Sequence, residues 1–175
     1  MCGIFGVIAK PTPTMPATLV RQAFSTAALH SISRGRDSSG IMCRDASPGE
    51  FIIVKGDIPV NRLLRSSAAR QLLDKAVRRY QAGTTFQAMG HARLVTNGSQ
   101  LRECNNQPVV KDRLICVHNG IVTNDADLWA AHPELKREYQ IDTEVLASLT
   151  RHHLPSLGLA GAIKATLASI EGTAS

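Results

Sequence analysis

The chain has 175 residues, a hydrophobic fraction of 43% and a net charge of +6, values of one soluble globular domain with room for a real core. No apolar run approaches the roughly 18 residues that span a bilayer, and the start has no basic segment followed by an apolar run. Neither a membrane partner nor a signal peptide is expected.

Four scattered cysteines (Cys2, Cys43, Cys104, Cys116) form no C-x-x-C pair, and the six histidines show no metal-ligand spacing. The pattern argues against a zinc site and a disulfide framework and fits a reducing cytoplasm. No metal or cofactor is expected.

In chain order, Gly3 to Ala9 reads as a buried strand and the proline-rich Lys10 to Pro16 as a loop. Ala17 to Ile32 has helical apolar spacing. Ser33 to Gly40 is a polar, glycine-bracketed loop. Ile41 to Arg44 and Phe51 to Lys55 predict a strand pair joined through Asp45-Ala46-Ser47-Pro48-Gly49. Asn61 to Tyr80 predicts a helix with a break near Ser66-Ser67. Phe86 to Arg93 is a strand, Leu94 to Pro108 a long polar loop, and Leu114 to His118 another strand. Asn124 can cap a short helix through Trp129, and Asp142 or Thr143 one running to about His153. Leu157 to Ile170 predicts a last helix.

Basic residues are densest between Arg62 and Arg79, where only Asp74 opposes six cations. The stretch reads as a solvated helix face or as a surface for a phosphate-bearing partner. Aromatics are only 4% of the chain and none interleave this patch. A nucleic-acid partner is therefore not expected.

The N-terminus carries the sharpest chemical signal. Removal of Met1 would leave Cys2 with both a thiol and a free α-amino group. Such an amine titrates near pH ~7.7–8 and a thiol near ~8.5, so the amine can take the thiol's proton. The alternative is a small apolar residue opening a strand. Three strand-end loops add to this. Arg93 with Thr96 could clamp a carboxylate, because guanidinium matches it bidentately, or Arg93 could form a surface ion pair. Asn119 and the Gly120 N–H could form an oxyanion hole, or Asn-Gly could be a plain turn. Asp142 could hold an ammonium group or serve as a helix N-cap.

Six segments occur in order: Cys2-Gly3-Ile4-Phe5-Gly6, Arg34 to Gly40, Gly90 to Gly98, Asn106-Gln107-Pro108, Val117-His118-Asn119-Gly120 and Asp142-Thr143-Glu144. With them the whole chain resembles a class II glutamine amidotransferase domain of the N-terminal-nucleophile hydrolase superfamily, most like the glutaminase half of the glucosamine-6-phosphate synthases. The resemblance implies an α+β fold, a four-layer αββα sandwich of two antiparallel sheets, truncated at its C-terminal end. It implies one domain over residues 1–175 with no acceptor or synthase domain. It implies that L-glutamine is hydrolysed through a Cys2 thioester, with ammonia passing to a synthase domain or subunit. Cys2 matches the nucleophile, and Asn119 and Gly120 the oxyanion hole. Arg93, Thr96 and Asp142 match the binders of the glutamine head, and Arg34 with Asp37 a loop that frames the substrate. Leu94 and Asn97 depart from the family pattern, which usually has a bulky aromatic and often a histidine there. A catalytically inactive binding module and a hydrolase of another amide are the alternatives.

Overall fold

In a computed structural model the chain is described over residues 2–45 and 49–175. The expected loss of Met1 and the Ala46-Ser47-Pro48 part of the expected turn lie outside the described residues. The central element is a four-stranded antiparallel sheet in the order β1-β4-β2-β3. Its strands are β1 (Gly3–Ala9), β2 (Ser38–Arg44), β3 (Phe51–Gly56) and β4 (Phe86–Arg93).

The two faces of this sheet differ because side chains alternate along each strand. Phe5, Ile41, Phe86, Ala88 and Ala92 point to the helices α1 (Ala17–His30), α2 (Val60–Leu63) and α3 (Ser67–Gln81). There Phe24 of α1 is fully buried between Phe5 and Phe86, with ring centroids 5.5 and 6.3 Å away. Burial of one such side chain stabilises the fold by about 1.5–3 kcal/mol. The break expected near Ser66-Ser67 is the junction of α2 and α3, where Ser66 Oγ accepts the Ala69 N–H at 3.2 Å and caps α3.

The opposite face of the sheet meets a second β layer. This consists of two antiparallel ladders, β5 (Val109–Lys111) with β6 (Leu114–Cys116), and β7 (Ile121–Val122) with β8 (Gly172–Thr173). Outside them lie α4 (Asp125–Ala131) and α5 (Thr143–Ser169). Val122, Leu128, Val145 and Leu149 make a second, smaller core. The order helices, sheet, strands, helices is the expected α+β sandwich, with its second sheet present as two short pieces. The layers approach closely at Gly40, where a Cβ would stand 2.2 Å from Gln107 O.

Several local expectations change. Ser38, Ser39 and Gly40 belong to β2 rather than to a loop, because they are buried and pair with Arg93, Ala92 and His91. β5 lies between the expected Leu94 to Pro108 loop and the expected strand from Leu114, in residues given no element, and its turn, Asp112-Arg113, uses positive φ of 51° and 66° without glycine. Asn124 precedes α4 but its carboxamide does not cap it. It bridges to the chain end instead, donating to Ser169 O at 3.1 Å and accepting from Glu171 N at 2.8 Å. The two helices expected around residues 143 and 157 abut at Gly158, whose φ of 65° breaks α5. The basic α3 is amphipathic, with Leu72, Leu73, Ala76 and Tyr80 in the core. Two of its cations, Lys75 and Arg79, pair with Asp45 at 2.8 and 2.6 Å. No helix among the described residues is long and apolar enough to cross a membrane.

Candidate active site

Cys2 stands immediately before β1, and Ala92 of the neighbouring β4 pairs with Gly3. The thiol therefore sits where β4 runs out into the loop that follows Arg93. Leu94 brackets it: its N–H and its carbonyl each lie 3.4 Å from Cys2 Sγ. Arg34 donates from Nε to the Cys2 carbonyl at 3.0 Å and so fixes the Cys2 backbone. Asp37 holds the other side, its N–H bonded to Arg93 O at 3.0 Å and its carboxylate accepting the Val95 N–H at 2.7 Å. The polar loop around Arg34 thus braces both Cys2 and the Leu94–Gly98 loop.

Asn119 comes from the second β layer. Its Oδ1 accepts the backbone nitrogen of Cys2 at 3.0 Å. The carboxamide NH2 is then turned away from that nitrogen, as an oxyanion donor beside Cys2 requires. Glycine is forced at position 120, because a Cβ there would lie 2.0 Å from Thr173 O and 2.8 Å from His118 Nε2. The same crowding keeps the Gly120 backbone on the wall of the narrow cavity that also exposes Cys2, Arg93, Thr96 and Asp142.

Arg93 is only 3% exposed, so the surface ion pair weighed above is not what the structure contains. Its guanidinium donates to Asn106 Oδ1 at 3.2 Å, to Gly98 O at 3.1 Å and to Asn97 O. Those bonds engage three of the five N–H donors of the fork. Burial pulls its pKa below the ordinary guanidinium value, and the nearby carboxylates of Asp142 and Asp37 oppose that fall only in part. Asp142 lies at the N-cap position of α5, but its side chain makes no capping bond. Oδ2 accepts the Val122 N–H at 3.0 Å, and Oδ1 faces His118 Nδ1 at 3.7 Å. Burial tends to raise the Asp142 pKa, yet hydrogen bonds from His118, Val122 and Asn97 hold it below the ordinary carboxylate value. It is an anion, set across the cavity from a cation.

Behind these groups lies a buried polar network in which sequence reasoning assigned no roles. The His118 N–H donates to Gln107 Oε1 at 2.6 Å, and Gln107 Nε2 donates back to His118 O at 3.0 Å. His91 Nε2 reaches the same carbonyl at 3.0 Å, and Thr143 Oγ1 lies 3.3 Å from His118 Nδ1. His91 is fully buried, which pushes its pKa down to about 4 and keeps it neutral. The available signal was a set of polar residues where the flanking pattern is strand-like, as with His91 in β4.

The Cys2 thiol thus stands just before an edge strand of the main sheet, its backbone nitrogen is held by Asn119, and it lines the same cavity as the buried Arg93 and Asp142. No model of a known protein family matches the chain. Over 98% of its length it is 30% identical to glutamine–fructose-6-phosphate aminotransferase [isomerizing] of Aliivibrio fischeri and 32% identical to that of Rhizobium leguminosarum bv. viciae. The chain spans 25% of the length of each of these relatives. Among solved structures, the glutamine phosphoribosylpyrophosphate amidotransferase of B. subtilis, complexed with ADP and GMP, aligns with a TM-score of 0.64 at 24% identity, over 99% of this chain and 33% of that one. The likeness, over nearly the whole chain, supports a class II glutamine amidotransferase domain.

Proposed function

We propose that the chain hydrolyses the side-chain amide of L-glutamine, with Cys2 as nucleophile. The observation that carries this reading is the 3.0 Å bond between the Cys2 nitrogen and Asn119 Oδ1, with Cys2 lining the same cavity as Gly120, Arg93 and Asp142. Arg93 receives the substrate α-carboxylate on its remaining donors, Thr96 supports it, and Asp142 holds the α-ammonium. This places the γ-carboxamide at Cys2.

Once Met1 is removed, the Cys2 amine accepts the thiol proton and Sγ attacks the amide carbon. The tetrahedral oxyanion is stabilised by Asn119 Nδ2 and the Gly120 N–H. Collapse breaks the C–N bond, the amine returns the proton to the departing nitrogen, and ammonia leaves a γ-glutamyl thioester. Water, deprotonated by the same amine, then cleaves the thioester to glutamate and regenerates the thiol. Ammonia is consumed by an acceptor-aminating synthase domain or subunit, a reading supported by the aminotransferase name of relatives of which this chain spans 25%. A free thiol nucleophile suits the reducing cytoplasm.

The test is intact mass together with glutamate release from glutamine, for wild type and Cys2→Ala. Loss of Met1 with glutamate formed only by wild type is expected. Retained Met1 with no glutamate would overturn the reading and leave an amidotransferase-like binding module.

A further inference from the structure

The histidines have no metal-ligand spacing in sequence, yet the fold brings two of them to one carboxylate. His132 follows the last turn of α4, Glu134 stands beyond Pro133, and His152 lies on α5. Glu134 Oε1 is 3.1 Å from His132 Nδ1 and 3.6 Å from His152 Nδ1. One donor atom from each of the three residues lies within 4.8 Å of the other two. The imidazoles of His132 and His152 meet edge-on, with centroids 5.3 Å apart.

These dimensions match a coordination polyhedron. A tetrahedral site with bonds of about 2.0–2.2 Å separates its ligand atoms by about 3.3–3.6 Å. Two sides of the triangle are already near that length. The third closes by side-chain rotation, for which there is room: the side chains of His152 and Glu134 are 40% and 51% exposed. The donor set, two imidazoles and a carboxylate, is one that Zn²⁺ and its first-row neighbours accept, with water completing the shell.

We propose that His132, Glu134 and His152 form a surface site for a divalent transition metal of the Zn²⁺ class. The ion clamps the end of α4 and the following turn onto α5, the helix that begins at Asp142 and Thr143. None of the three residues lines the cavity at Cys2, and the ion serves as a brace, not as a Lewis acid. The inference does not depend on the glutaminase reading.

The test uses the full chain. Calorimetric titration with Zn²⁺ is expected to show one equivalent bound, and the ion to raise the melting temperature. Co²⁺ is expected to bind with visible d–d bands and without a thiolate-to-cobalt charge-transfer band, which separates this site from the cysteines. His132→Ala, His152→Ala and Glu134→Gln each weaken binding at least as much as loss of an outer-shell partner does, about 10–100-fold. His30→Ala, on an exposed turn of α1, leaves binding unchanged. The proposal falls if wild type binds no Zn²⁺, if cobalt shows a thiolate band, or if all three ligand variants keep wild-type affinity. Because the wild-type titration and cobalt spectrum decide by themselves, a variant that fails to fold does not rescue it.

Discussion

Asn119 Oδ1 accepts the backbone nitrogen of Cys2 at 3.0 Å, across 117 residues of sequence. In the proposed mechanism one side chain therefore positions the group expected to act as base and, through its other branch, offers a donor to the oxyanion. Replacing it removes both. Asn119→Ala is expected to lower kcat for glutamine hydrolysis by about 10²–10³, the usual cost of one oxyanion donor, with a small change in KM. Steady-state glutamate release measures it. An unchanged kcat would remove Asn119 from the mechanism.

Arg93 and Asp142 should act on binding. Arg93→Lys keeps the charge but loses the fork, and Asp142→Asn loses the charge. Each is expected to raise KM for glutamine by about 10–100-fold, the worth of a hydrogen bond to a charged group. Alkylation of Cys2 by iodoacetamide, which has no amino-acid head, is expected to keep its wild-type rate. Equal loss toward both reagents would mean that these residues only hold the loop together.

Glu144 is a stability element next to the site. It is fully buried, lies 3.1 Å from Lys111 Nζ and accepts the Glu138 and Tyr139 N–H groups at 2.7 Å each. Glu144→Ala leaves two N–H donors without their partner and removes one of the two carboxylates paired with the buried Lys111. Chemical denaturation should show a loss of about 3–5 kcal/mol. Lys111 keeps its bond to Glu138, so a loss at the lower end of that range is the expected result.

His91 makes folding depend on pH. Its folded-state pKa, about 4, is below the ordinary histidine value of about 6.5 because burial disfavours the imidazolium. Between these values the unfolded chain binds more protons, so stability rises with pH. The contribution is fully present above pH 6.5 and is lost progressively as pH falls to about 4, by about 3 kcal/mol in all. His91→Gln is expected to flatten that part of the stability profile. An identical slope in the variant, in denaturant titrations from pH 4 to 7, would contradict the assignment.

Much of the architecture was legible from local pattern. Gly3–Ala9 and Phe86–Arg93 emerge as strands with the boundaries that their apolar runs predict, and the Ser66 break in the basic helix is where the cap is. These features depend on residues within a few positions of one another, which is what periodicity and capping report. Where partners lie far away the local reading fails. Ser38-Ser39-Gly40 look like loop residues until β4 supplies their ladder, and Asn124 looks like a cap until the chain end takes its carboxamide.

The site divides the same way. Residue types and their spacing already supply the chemical parts: a cysteine at position 2, an Asn-Gly pair after a strand, and an arginine and an aspartate bordering loops. The sequence also determined their order along the chain, which carries the family likeness. Only the tertiary structure decided that Asn119 grips the Cys2 nitrogen and that Arg93 is buried against Asn106 and the Gly98 carbonyl. Likewise, only the fold frees the Asp142 carboxylate from capping and gathers His132, Glu134 and His152. The physical reason is that side-chain identity is local, whereas distance and burial are set by the packing of elements brought together from opposite parts of the chain.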